Sequence, residues 1–106
     1  MGPFGVMGAF MQPQGHLQLV SNLVDFGMNP QEALDAPRWQ WIKGRTVQVE
    51  QGVDAGLAAS LEARGHAVQV VDGSDSFGRG EIIVRTPFGT LAGGTEPRTD
   101  GCVAAW

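Results

Sequence analysis

A chain of 106 residues suits one small domain or part of a larger one, and 42% apolar with 17% charged residues marks a folded sequence. A formal charge of −4 without any block of basic residues argues against nucleic-acid binding, which needs a Lys/Arg patch to neutralise phosphates. No apolar run approaches the roughly 18 residues that span a bilayer, and Met1-Gly2-Pro3-Phe4-Gly5 lacks the basic region and apolar core of a signal peptide. A signal carried further upstream would leave no trace here, so the compartment stays open.

Gly2 to Ala9 is glycine-rich with Phe4, Val6 and Met7 interleaved, and reads as a short strand entering a turn. Pro13 suits the first turn of a helix, where its missing N–H costs nothing, and the spacing predicts that helix over residues 13–26. Leu17, Val20 and Val24 fall on one face of it, and Leu19, Leu23 and Phe26 cover the adjacent one. Such a broad apolar surface predicts burial on more than one side, more than this short chain can supply. Gly27 is placed to close the helix in a left-handed conformation.

Asn29-Pro30-Gln31-Glu32 is a strong helix start, with Asn29 as N-cap, Pro30 at the first position and Glu32 completing a capping box. Pro37 ends this helix by Ala36. Trp39, Trp41 and Ile42 around Gln40 give a half-buried strand, and Val47 and Val49 alternate in a second. A third helix runs from about Asp54 to Arg64, with Leu57 and Leu61 as its apolar pair and Gly65 as its stop. Val68, Val70 and Val71 form a strand, Asp72 to Gly80 a polar surface loop, and Ile82, Ile83 and Val84 a further strand. Pro87-Phe88-Gly89 turns the chain into Thr90-Leu91-Ala92, and the tail offers a last candidate strand at Cys102 to Trp106. This order predicts an α+β fold with antiparallel strands, about three helices, and hairpins toward the C-terminal end.

Few residues offer chemistry. Ser74, Ser76, Asp72, Asp75 and His66 lie close in sequence, but no Gly-x-Ser-x-Gly elbow is present and triads are defined by geometry, so a solvated loop is the simpler reading. His16 and His66 are far apart, no metal-ligand spacing occurs, and no metal or cofactor is expected. His16 reads as a hydrogen-bonded or exposed residue, and Cys102, the sole cysteine, as a small buried hydrophobe. Glycines at 2, 5 and 8 do not make a dinucleotide fingerprint. Gly8-Ala9, just ahead of a helix, can aim backbone N–H groups at an anion or at the oxygen of a carbonyl under attack. A plain turn explains the same two residues.

The stretch Gly5-Val6-Met7-Gly8-Ala9-Phe10-Met11-Gln12-Pro13-Gln14-Gly15-His16 resembles the glycine-pair segment of γ-glutamyltransferases. Residues 22–38, closing on Ala36-Pro37-Arg38, are similar to that family's hydrophobic helix and Ala-Pro-Arg pattern. Phe77-Gly78-Arg79-Gly80 and Gly93-Gly94-Thr95-Glu96-Pro97-Arg98-Thr99-Asp100-Gly101 look like its closing motifs, with Glu96 where Asp is more familiar. The resemblance implies residues 1–106 of an incomplete small-subunit domain, the C-terminal portion of an N-terminal-nucleophile hydrolase αββα sandwich. It further implies a γ-glutamyltransferase, or glutathione hydrolase, whose N-terminal threonine attacks γ-glutamyl amides and passes the acyl group to water or an amino acid. Implied partners are the rest of the small subunit, the large subunit and a γ-glutamyl substrate such as glutathione, with no nucleic acid, membrane or cofactor.

Of the implied site only the oxyanion-hole pair falls in this chain, at Gly8 and Ala9. The threonine and the groups that hold the substrate's α-amino and α-carboxylate ends lie upstream, so the chain alone is expected to be inactive and to expose an apolar patch. Alanine at position 9 departs from the glycine pair. It is harmless at negative φ and costs roughly 1 kcal/mol or more at positive φ. Two other readings remain: a non-catalytic remnant kept as an interaction or binding module, and a small α+β hydrolase built on the Ser74–Ser76 loop.

Overall fold

The computed structural model describes residues 2–106, which form six strands and three α-helices. They fall into two compact units, one comprising residues up to Ala36 together with Gly78–Trp106, the other Pro37–Phe77.

In the first unit, strands β1 (Phe4–Met7), β5 (Arg79–Arg85) and β6 (Leu91–Gly94) form an antiparallel sheet in the order β1-β5-β6. Helix α1 (Gln12–Val24) lies against β1, and helix α2 (Pro30–Asp35) against β5 and β6. A 3₁₀ turn over Ala9–Met11 leads into α1, so the helix starts and stops slightly earlier than its apolar spacing suggests. Gly27, at φ 64°, closes it. The capping box of α2 is complete, since Asn29 accepts from the Glu32 amide and Glu32 from the Asn29 amide, both at 2.9 Å. Val6, Leu19, Ala33, Leu34 and Ile82 form the core. Each large aliphatic side chain buried there contributes about 1.5–3 kcal/mol. The close approach of helices to sheet requires a bare backbone in β5, because a Cβ on Gly80 would lie 2.9 Å from Leu34 and 3.2 Å from Leu19.

In the second unit, strands β2 (Trp39–Lys43), β3 (Thr46–Glu50) and β4 (Ala67–Val71) pair in that order, with helix α3 (Ala55–Ala63) packed on β4. Asp54 caps α3 by accepting from the Leu57 amide at 3.1 Å. The pairing β2–β3 is antiparallel, but β3–β4 is parallel, with α3 as the crossover that parallel neighbours require. The expected antiparallel strands therefore hold everywhere except at this pair. Alternation in β2 is present with its sense reversed: Gln40 is buried while Trp39 and Trp41 are exposed. Gln40 tolerates burial because its amide donates to Gln48 Oε1 and Ser76 Oγ, each at 3.0 Å. Leu57 stays exposed, so α3 buries less than its apolar pair suggests.

Two further expectations fail near the C-terminus. Strand β5 begins at Arg79, inside the stretch read as loop, because its first residues pair with β1. Residues 102–106 form no strand. Val103 sits over Gly93, where an added Cβ would come within 3.0 Å of it, so the tail crosses the face of the sheet and leaves its backbone without a ladder partner.

Candidate active site

Strand β1 delivers the chain to Gly8 and Ala9, and α1 carries it away. Met7 pairs with Arg79, Gly8 accepts a hydrogen bond from the Met11 amide at 2.9 Å, and Gln12 opens α1. Space favours glycine at position 8, since a Cβ there would lie a tight 3.0 Å from the Gly78 Cα and 3.3 Å from the Met11 Cβ. The Gly78 backbone thus forms one wall of the turn. Ala9 has φ 47°, and it is the only non-glycine with positive φ among the described residues. The condition under which alanine is strained is therefore met, at a cost of about 1–2 kcal/mol.

No described residue accepts from the amides of Gly8 or Ala9. Gly8 is half-buried and Ala9 exposed, and both stand at the foot of a helix. Such an arrangement can bind an anion or the oxygen of a polarised carbonyl. His16, one turn into α1, joins the two sides of the turn: its Nε2 accepts from the Val6 amide at 3.3 Å and its Nδ1 lies 2.6 Å from the Gln12 carbonyl. It is hydrogen-bonded, as its sequence context suggests.

The other candidates do not assemble. Ser76 Oγ is held by Gln40, and no hydrogen bond links His66 to Ser74 or Ser76. Among the described residues no three His, Cys, Asp or Glu side chains gather where they could hold a metal. Cys102 is exposed, contrary to its reading as a buried hydrophobe, because it lies in the tail that crosses the sheet face. On α1, Leu19 is fully buried and Leu23 packs against the core while Leu17, Val20 and Val24 remain exposed, so one apolar face is covered and the neighbouring one is bare; Phe26, beyond the end of the helix, is exposed as well.

A cluster that carried no chemical signal in the sequence surrounds Glu96 and Arg98. Glu96 accepts from the Gly80 amide at 2.6 Å and from Arg98 at 2.7 Å, and Arg98 also donates to the Leu34 and Ala36 carbonyls at 2.8 and 3.2 Å. The ion pair is buried, and its guanidinium caps the C-terminus of α2 where positive charge is favoured. Glu81 accepts from the Thr95 hydroxyl, and Gln31 exchanges hydrogen bonds with the Thr95 backbone. These groups fasten the closing loop to α2 and β5.

Residues 1–106, the whole chain, match the family described as Gamma-glutamyltranspeptidase. The chain belongs to that family. It is 64% identical to a crystallised cephalosporin acylase from Bacillus halodurans, with a TM-score of 0.96 over 100% of this chain and 20% of that one. It is 35% identical to the glutathione hydrolase-like YwrD proenzyme of Bacillus subtilis (strain 168), over 92% of this chain and 20% of that protein. It is also 34% identical to the oxamate amidohydrolase proenzyme of Klebsiella pneumoniae, over 97% of this chain and 21% of that protein. The chain thus spans about a fifth of the length of these relatives. Its α+β fold is that of the N-terminal-nucleophile hydrolases, the class its sequence resemblance implies.

Proposed function

We propose that this chain is the C-terminal part of the small subunit of an amide-cleaving N-terminal-nucleophile hydrolase, in which the amides of Gly8 and Ala9 form the oxyanion hole. The unpaired state of those two donors, between a strand and a helix N-terminus, carries the proposal. In the reaction a threonine hydroxyl supplied from outside this chain attacks the carbonyl carbon of a γ-glutamyl amide, its own α-amine taking the proton. The negative charge that develops on the carbonyl oxygen is met by the two N–H groups. Collapse passes that proton to the departing nitrogen, expels the amine and leaves an acyl-enzyme, which water or an amino acid then resolves. Loss of one such donor lowers kcat by about 10²–10³.

The 64% identity to a cephalosporin acylase favours a second reading of the substrate, an amide whose acyl group is not γ-glutamyl. Reaction type and oxyanion hole are the same in both. The bare face of α1 supports a partner role for the rest of the small subunit, with the large subunit completing the enzyme. By itself the chain is inactive for want of a nucleophile.

The test replaces the matching fifth of the Bacillus halodurans acylase with this chain and assays the chimera on a chromogenic γ-glutamyl anilide and on a cephalosporin side-chain amide. Turnover of either substrate by the chimera, and of neither by the chain alone, is expected. A well-folded chimera that turns over neither substrate would overturn the catalytic reading and leave the chain a non-catalytic interaction module.

A further inference from the structure

In the first unit's sheet, β1 is an edge strand. The Ile83 amide donates to the Pro3 carbonyl, and Phe4 stands opposite Ile82. Residues 3, 5 and 7 therefore hold the ladder to β5, while the backbone of Phe4 and Val6 faces the open edge. On that edge the Val6 amide finds the Nε2 of His16. The approach is close because residue 15 is glycine: a Cβ there would lie 2.8 Å from Val6 Cγ1. The Phe4 ring stands against the imidazole at 5.7 Å and 58°.

These partners select one form of the ring. The Gln12 carbonyl can only accept, so Nδ1 carries the proton; the Val6 amide can only donate, so Nε2 presents its lone pair. Val6 and Gln12 are the two ends of the segment that contains Gly8 and Ala9. A neutral His16 thus ties both ends of residues 7–11 together.

We propose that His16 is a positioning residue whose neutral, Nδ1-protonated ring holds the Gly8–Ala9 turn, and that protonation of the ring releases it. The inference rests on the oxyanion reading of that turn for its catalytic meaning, but not for its test. With a second proton, Nε2 becomes a donor facing a donor, and the link to Val6 is lost. Among the described residues, His16 is the only titratable side chain in β1, the 3₁₀ turn and α1. Arg79, Glu81 and Arg85 of β5 alternate onto the face opposite Gly80 and Ile82, away from α1. Glu32 and Asp35 of α2 are engaged by Asn29 and Gln31, beside the C-terminal half of α1, where Asn22 bonds Ala33. The hold therefore exists with the neutral ring and is absent once Nε2 carries a proton.

The experiment follows the ring nitrogens of His16 and the amides of Val6, Gly8 and Ala9 by NMR in the ¹⁵N-labelled chain while pH is lowered, with exposed His66 as internal control. The expected result is an Nδ1–H tautomer for neutral His16, with Gly8 and Ala9 shifts that titrate at the His16 midpoint and at least tenfold faster Val6 exchange beyond the intrinsic change. His16→Gln, which keeps an acceptor but cannot titrate, should retain the native Gly8 and Ala9 positions and abolish their pH dependence. His16→Leu should place them at the acid positions at every pH. An Nε2–H tautomer, or Gly8 and Ala9 shifts that stay flat while His16 titrates, would overturn the inference. An intact titration beside an inactive chimera would uphold the positioning role and overturn only the catalytic reading.

Discussion

The turn at Gly8–Ala9 and the loop at Thr95–Thr99 both look like glycine-flanked motifs in the sequence, yet they use their polar groups in opposite ways. Around Glu96 and Arg98 the described groups are spent on one another: carboxylate to guanidinium and strand amide, guanidinium to the last carbonyls of α2. Around Gly8 and Ala9 two donors are left open, and the backbone adopts a conformation that alanine resists. Satisfied, buried polar groups hold a scaffold in place. Unsatisfied donors in a strained turn are what the proposed oxyanion hole requires. The first region should therefore answer to stability measurements and the second to activity.

The largest effect is expected at Arg98. Replacing it with methionine strands the Glu96 carboxylate in a site where it is 1% exposed and leaves two helix carbonyls without their donor. Breaking a buried pair on one side costs about 3–5 kcal/mol, a large share of a small domain's total. Urea denaturation should show that loss for Arg98→Met, and a smaller one for the double change with Glu96→Gln, in which no charge is stranded. Equal losses in the two variants would mean that the pair does not act as a unit.

Gly8→Ala sharpens the comparison from the other side. The new methyl meets the Gly78 backbone at about 3.0 Å, so one of the two must move. In the chimera, kcat should fall about 100-fold with KM changed little, which at 1.36 kcal/mol per decade is about 2.7 kcal/mol of transition-state stabilisation. Stability should suffer less than with Arg98→Met. A variant that unfolds while its remaining folded fraction keeps full turnover would assign Gly8 to the scaffold instead.

What could be read from the sequence was what is local. The Asn29–Glu32 capping box, the Asp54 cap and the Gly27 closure each depend on residues within four positions of one another, and all three are present. The family resemblance supplied the rest of the fold class and pointed to Gly8 and Ala9. The misses are non-local. Parallel pairing of β3 with β4 depends on how α3 crosses over, and the burial of Gln40 depends on Ser76, 36 residues away. Arg98 looked like an ordinary motif residue because its partners Leu34 and Ala36 lie 64 and 62 positions earlier. The sign of φ at Ala9 is set by how β1 and α1 hold the turn, which no local sequence pattern fixes.

Next in size is Ala9→Gly. Glycine accepts φ 47° without the steric cost that alanine bears, but it also frees the unfolded chain, which works in the opposite direction by about 0.4–1 kcal/mol. Relief of about 1–2 kcal/mol set against that leaves a net gain between about zero and about 1.6 kcal/mol. Thermal unfolding should therefore show a small rise in Tm, and turnover in the chimera a rise rather than a fall, because both amides stay in place and the methyl beside the substrate is gone. A fall in stability would mean that Ala9 does not hold the positive φ in solution.

The smallest effect concerns the bare face of α1. Leu17 and Val24 are 59% and 57% exposed, so neither adds much to the stability of the first unit. Changing them to Glu and Lys should shift unfolding by no more than about 0.5 kcal/mol, as expected for surface positions. In the isolated chain the same changes should lower binding of an apolar dye. In the chimera, if the rest of the small subunit covers this face, they should instead impair assembly, because two charges would then be buried without partners. The same pair of substitutions thus reads as silent in one context and disruptive in the other. Silence in both would show that the apolar face of α1 is left bare in the assembled enzyme as well, and the partner role proposed for the missing segments would fall with it.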